Sequence, residues 1–309
     1  MQEYDSIAMK PSPAMQPLPL LPITRLSFIL GILLATVAGI QLYVLSTRTA
    51  DFFAWTIGVP LTAAFLGSFF WANTPSFVVA LRFDEWPRVR ILIVATLSLT
   101  VFMAITTLRH LDIFHLDEGG FLARLAAWSW LVVYVGLPWL LLVSFVRQER
   151  AAGTRVYSVQ EPLHAWVRGF FFVQALATTV LGLGLSYAPG LFADLWPWSL
   201  PALPAGAVGA WILAFAAASW WVLREGDWQR VRIAIPGYLA LCALLLLAVL
   251  RFRDDMVGGA RTSVYVGTLV TLFVLTAVAA RRQETSHNRL AKGERVSELG
   301  RRERQSRKV

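Results

Sequence analysis

Eight apolar stretches, each about 18–23 residues long, divide this 309-residue chain, and its charges are confined to the gaps between them. At 1.5 Å per residue, a helix of that length crosses a hydrocarbon core of about 30 Å. The spans expected are 25–46, 59–81, 91–109, 125–146, 168–187, 202–223, 233–251 and 262–280. A buried helical core of a water-soluble protein would need hydrophilic outer faces, which these segments lack. Only 15% of the residues are charged, where a soluble domain carries roughly 25%. The expected fold is all-α, a polytopic membrane protein with eight transmembrane helices.

Charge then sets the orientation. With the N-terminus inside, 22 of the 28 Lys and Arg residues fall on one side, ten of them in the C-terminal tail. The other side has only Arg48, Arg109, Arg124, Arg251, Arg253 and Arg261. The positive-inside rule therefore places both termini in the cytoplasm, which an even number of spans allows. Residues 1–24 form a Pro-rich cytoplasmic segment that begins with acidic residues and does not read as a cleavable signal. Residues 281–309, with ten basic and four acidic side chains, read as a basic cytoplasmic tail attracted to acidic lipid. That tail has no aromatic residue to stack on bases, so nucleic acid is not an expected partner despite the net charge of +9.

The chain also repeats itself. "RFDEWPRVRI" at Arg82–Ile91 returns as "REGDWQRVRI" at Arg224–Ile233, with six of ten positions identical. Arg25–Ile57 laid on Arg168–Leu200 adds ten identities in 33 without a gap. The match continues through Leu108-Arg109 onto Leu250-Arg251, and Asp112 onto Asp254. Self-similarity at a fixed offset is the mark of internal repetition. The expected organisation is two four-helix repeats, 25–150 and 151–280, with the decapeptide as the loop between the second and third spans of each. An even number of spans per repeat makes the two parallel, related about an axis along the membrane normal.

Small residues recur every four positions: Gly31, Ala35 and Gly39 in the first span, Ala64, Ser68 and Ala72 in the second, and Gly206, Ala210, Ala214 and Ala218 in the sixth. Such stripes let helices approach closely, and structural packing is the favoured reading over a ligand channel.

Chemistry is sparse. No ionisable side chain lies in the middle of a span, and the polar residues at depth are Gln41, Asn73, Ser129, Tyr134, Gln174 and Tyr238. Ion-coupled transport and bis-histidine haem are therefore not expected. A single cysteine, Cys242, leaves no disulfide within one chain. No G-x-S-x-G elbow, P-loop, H-E-x-x-H or C-x-x-C occurs. The outer face gathers a polar cluster that both repeats keep: Asp51, Arg109 and Asp112 in one, Asp194, Arg251 and Asp254 in the other. The expectation is that the Asp before the second span pairs with the Arg ending the third, with ligand binding as the alternative. His110 and His115 in "RHLDIFHLDEGG" are weak metal candidates, because their spacing puts the two rings on different helix faces and the repeat mate "RFRDDMVGG" has no histidine. Trp55, Trp196 and Trp198 are read as an aromatic belt at the lipid–water interface. On the inner face Arg88, Arg90, Arg230 and Arg232 are expected near lipid headgroups.

Three motifs, "FAWTIGVPLTAAFLG" (Phe53–Gly67), "LRHLDIFH" (Leu108–His115) and "AWSWLVVYVGLPW" (Ala127–Trp139), resemble a type of polytopic membrane protein found in bacteria, especially actinobacteria. The second half, with "LFADLWPWSLPALPAGAVGAW", resembles the WPW-containing half of the same type, and the likeness covers most of residues 25–280. It implies a bacterial inner-membrane setting and brings no functional residue with it.

The expected function is non-enzymatic: an accessory membrane protein that binds a partner subunit, a lipid or a hydrophobic small molecule between its halves. The alternative is a facilitator for a neutral or amphipathic solute, and the third reading is a membrane enzyme using the outer His/Asp cluster. No cofactor is implied. The expected partners are membrane lipids and either another protein or a second copy of the chain.

Overall fold

The structure is a computed structural model that describes residues 18–153, 157, 159–278 and 281. The expected basic tail, apart from Arg281, and residues 1–17 of the Pro-rich segment lie outside the described residues. Eight helices are long and apolar enough to span a membrane. They are α1 (Pro22–Val44), α2 (Pro60–Phe83), α3 (Trp86–Arg109), α4 (Phe121–Ala152), α5 (Ala165–Tyr187), α6 (Ala202–Glu225), α7 (Trp228–Arg251) and α8 (Gly259–Val278). The chain is thus an integral, multi-pass membrane protein of all-α class. Prolines at the first helical turns of α1, α2 and α3 have no amide hydrogen to leave unpaired there, so the helices start where the sequence puts them.

Two helices occupy the centre. Most of α2 and α6 is buried, whereas α8 is buried over only 6% of its most apolar window. Their small residues are the reason. A Cβ at Gly206 would stand 2.7 Å from Thr106 of α3, and one at Gly237 of α7 would stand 2.6 Å from the Ala72 carbonyl of α2. Backbones approach closely only because those side chains are missing, which is the packing role expected of the stripes.

The helix pairing crosses the sequence midpoint. Within each half the first helix packs on the second, α1 on α2 and α5 on α6. The third helix instead leans mainly on the second helix of the other half, α3 on α6 and α7 on α2. Residues 25–150 and 151–280 therefore do not pack as two separate units.

The two decapeptides make tight helix–helix turns. Each turn is made by a residue in the left-handed region, Asp84 (φ 49°) after α2 and Gly226 (φ 64°) after α6. Gly takes this conformation freely, and Asp is among the few other residues that tolerate it. Each turn also holds down the segment that leads into the first helix of its half. Trp86 N donates to Leu18 O at 2.9 Å, and Trp228 N to Glu161 O at 2.8 Å. Leu20 N donates to the Asp84 carboxylate, and at the matching position Leu163 N donates to Gly226 O. Each copy of the motif is both a helix turn and a dock for a strap.

At the opposite end the sequence reading needs a correction. Trp55 and Trp198 are each 1% exposed, and Trp196 is buried with them. They are wedges between helices rather than a belt facing lipid. Trp55 packs edge-on against Trp130, and Trp198 does so against Tyr265. The segments that carry them fold back inward. His115 N donates to Ala54 O and Val257 N to Pro197 O, both at 2.9 Å.

Candidate binding cavity between the halves

A cavity of about 190 Å³ lies in the half of the bundle nearer the decapeptides. Its walls come from α2 and α3 of the first half and from α5, α6, α7 and α8 of the second. Most lining groups are apolar, among them Phe69, Phe171, Trp211 and Phe215, and none of the described ones is Asp, Glu, Lys, Arg or His. The polar groups present are Asn73, Ser76, Gln174, Ser219, Tyr238 and Thr276. Gln174 Nε2 donates to Ser219 Oγ at 3.1 Å, and Ser219 in turn donates to Phe215 O at 2.8 Å. Asn73 Nδ2 donates to Phe69 O at 2.8 Å. Of the six polar residues noted at depth in the sequence, Asn73, Gln174 and Tyr238 meet here.

A smaller cavity, about 80 Å³, occupies the matching place in the first half. It shares Asn73, Ala95, Trp211 and Ala214 with the larger one. The difference in size has a local cause. The sequence match pairs Gly31 with Gln174 and Phe77 with Ser219. In the first half the Phe77 ring fills the space over Gly31, where a Cβ would come within 2.8 Å of it. In the second half the short Ser219 leaves that volume open and the Gln174 amide reaches across to it.

The charged groups at the decapeptide end lie close to this cavity, since Val222, Trp228 and Val231 line it. Glu225 receives Arg90 from the first decapeptide, Arg230 at 3.4 Å and Trp221 Nε1 at 2.5 Å. Asp227, 1% exposed, accepts from the backbone of Gln160, Glu161 and Gln229 and pairs with Arg230 at 3.3 Å. Arg230 also donates to Tyr157 O at 3.0 Å. Arg88 pairs with Glu85 at 2.6 Å. Of the four arginines expected at lipid headgroups, Arg90 and Arg230 are thus engaged in internal ion pairs. Arg232 is exposed, with a hydrogen bond to Gln229.

The outer polar cluster is arranged otherwise than expected. Asp51 pairs with Arg48 at 3.0 Å, and Arg109 makes no ion pair with it. Arg109 reaches across to the carbonyl of Ser186 at 3.2 Å, and Arg251 reaches back to the carbonyls of Tyr43 and Val44 at 2.8 and 3.3 Å. Each arginine ends the third helix of one half and caps the C-terminal end of the first helix of the other. Helix C-termini present unpaired carbonyls and partial negative charge, so a guanidinium suits them better than it suits an exposed aspartate. Asp112, Asp194 and Asp254 are exposed, and Asp254 lies 3.7 Å from Arg253. The neighbouring Asp255, passed over in the sequence, accepts from Leu61 N at 2.9 Å and caps α2. The doubled acid in "RFRDD" was the available signal.

The two histidines point to different partners. His110 Nδ1 is 3.0 Å from Thr106 O. Both nitrogens of His115 are engaged, Nδ1 with Phe53 O and Nε2 with the Thr56 hydroxyl. Among the described residues no three His, Cys, Asp or Glu side chains come together in a way that would hold a metal ion. No family model, curated protein or solved structure matches the chain, so its function has to be read from this geometry.

Proposed function

We propose that this chain is a non-enzymatic accessory protein of the bacterial inner membrane that binds a lipid or hydrophobic small molecule between its two halves. The observation that carries the reading is the cavity of about 190 Å³ walled by helices of both halves. It is larger than the cavity of roughly 150 Å³ that takes benzene in an engineered soluble protein. Its walls match the usual ligand site, mostly apolar with a few polar groups. In this reading the decapeptides and both termini face the cytoplasm, supported by the excess of Lys and Arg at that end.

Native mass spectrometry of the protein purified in mild detergent tests it. A small molecule or lipid retained in stoichiometric amount is the expected result, with the extra mass lost when Gln174→Gly and Ser219→Phe together restore the packing of the first half. A bare chain from several mild detergents counts against the reading, and an added polypeptide mass would redirect it to a partner subunit. The smaller cavity beside the larger one, with four shared wall residues, favours a second reading as a facilitator. Uptake of a neutral solute into proteoliposomes without an ion gradient would establish that reading.

A further inference from the structure

The matched positions around the two cavities diverge in one chemical direction. In the first half, Thr96 satisfies its hydroxyl on its own helix, donating to Leu92 O at 2.7 Å. Its match in the second half is Tyr238, which lines the larger cavity and whose hydroxyl has no partner among the described residues. The Gln174 side-chain oxygen is likewise left over once its nitrogen has bonded Ser219. One acceptor and one donor therefore stand unpaired around a volume walled by hydrocarbon. At this depth there is little water to satisfy them, and each unpaired group costs free energy until something bonds it.

Charge restricts what that something is. With no Asp, Glu, Lys, Arg or His among the described residues of the wall, an ion brought into the cavity would lose its hydration with no opposite charge to replace it. The rim indicates the route. Trp166 of α5 is 64% exposed and Leu275 of α8 is 51% exposed, and both line the cavity. The opening therefore lies sideways between α5 and the loosely packed α8, toward the lipid.

We propose that the cavity takes an uncharged amphiphile, a hydrocarbon chain or ring bearing a hydroxyl or carbonyl oxygen, which enters from the bilayer between α5 and α8 and is bonded by Gln174 and Tyr238. The inference rests on the binding reading above and adds the ligand class to it. The oxygen meets the polar groups, and the hydrocarbon replaces contacts that the Phe77 ring makes in the first half.

Tryptophan quenching in the full-length protein, held in phosphatidylcholine nanodiscs, provides the test, because Trp166, Trp211 and Trp228 line the cavity. The probes are 11-bromoundecan-1-ol, 11-bromoundecanoate and 11-bromoundecyltrimethylammonium. The alcohol is expected to give a saturable component that vanishes in the Gln174→Gly/Ser219→Phe protein, with each charged probe at least about tenfold weaker. Gln174→Leu, which keeps the volume, is expected to weaken the alcohol several-fold and serves as the variant of record if the double replacement does not fold. Equal or tighter saturable binding of a charged probe overturns the ligand class and leaves the cavity reading standing. No saturable component for any probe, together with a bare native mass, overturns both.

Discussion

Phe77 in the first half and Ser219 in the second occupy matched positions on the two central helices, yet they lead to different interiors. Phe77 packs on Gly31 and Phe28 and leaves about 80 Å³ beside it. Ser219 bonds Gln174 and leaves about 190 Å³. The two decapeptides diverge in the same way. The first holds an Arg88–Glu85 pair about a quarter exposed, while the second holds Arg230 among Glu225, Asp227 and the Tyr157 carbonyl, with its side chain 8% exposed. The first decapeptide sends Arg90 to Glu225 of the second, and at the matched positions it is Arg230 rather than Arg88 that is buried. A repeated sequence can thus keep its backbone contacts and still give one half the larger cavity.

The sharpest way to break this comparison is at the arginines. Arg230→Ala takes the paired arginine from Asp227 and leaves Glu225 with Arg90 alone, and removing one member of a buried charge pair typically costs about 3–5 kcal/mol. Arg88→Ala removes a partly exposed pair worth about 1 kcal/mol or less. Equal losses in thermal unfolding of the two variants in detergent would mean that the decapeptides are not energetically different. Next comes the cavity pair. Phe77→Ala should destabilise by roughly 3 kcal/mol through lost packing. Ser219→Ala should cost about 1 kcal/mol, the worth of one hydrogen bond. Denaturant midpoints read both, and a costly Ser219→Ala with a cheap Phe77→Ala would invert the argument.

The crossed caps offer a smaller test. Arg109→Met and Arg251→Met should each lower stability by about 1 kcal/mol through lost bonds to helix-end carbonyls. With no shared partner, their effects should add to within about 0.5 kcal/mol. Arg251, with two carbonyl acceptors against one, should show the larger loss. Smallest of all, Asp51→Ala removes only an exposed i,i+3 pair with Arg48 and should stay within about 0.5 kcal/mol of the parent. A loss well beyond that would restore the tie between Asp51 and the third helix expected from the sequence.

Span positions were the easiest feature to read, because a run of apolar residues long enough to cross a bilayer is a one-dimensional signal. Five of the eight observed helices begin and end within three residues of the expected spans; α3 and α7 begin five residues early, inside the decapeptides expected as loops, and α4 runs on to Ala152 past Arg147. Polarity suggested an earlier end, but Gln148 is fully buried there and bonds Pro19 O, Leu21 N and the Thr24 hydroxyl. The candidate site was only partly legible. Asn73, Gln174 and Tyr238 stood out as polar residues at depth, but nothing local showed that they face one cavity. The aromatic residues misled for a related reason: Trp at an interface and Trp wedged between helices have the same sequence signature, and only the chain's return into the bundle separates them.

By itself, then, the sequence determined the eight helices, the close-packing small residues and the matching of decapeptide to decapeptide. All of these depend on hydropathy and spacing along one chain. The tertiary structure decided that α3 leans on α6 and α7 on α2, that Arg109 and Arg251 cap each other's halves, and that the larger cavity lies beside Ser219 and the smaller beside Phe77. Those outcomes depend on which faces meet across a distance of a hundred residues or more, and apolar faces in a membrane choose partners by shape rather than by escape from water. Shape is a property of the assembled helices, and it first exists when they have met.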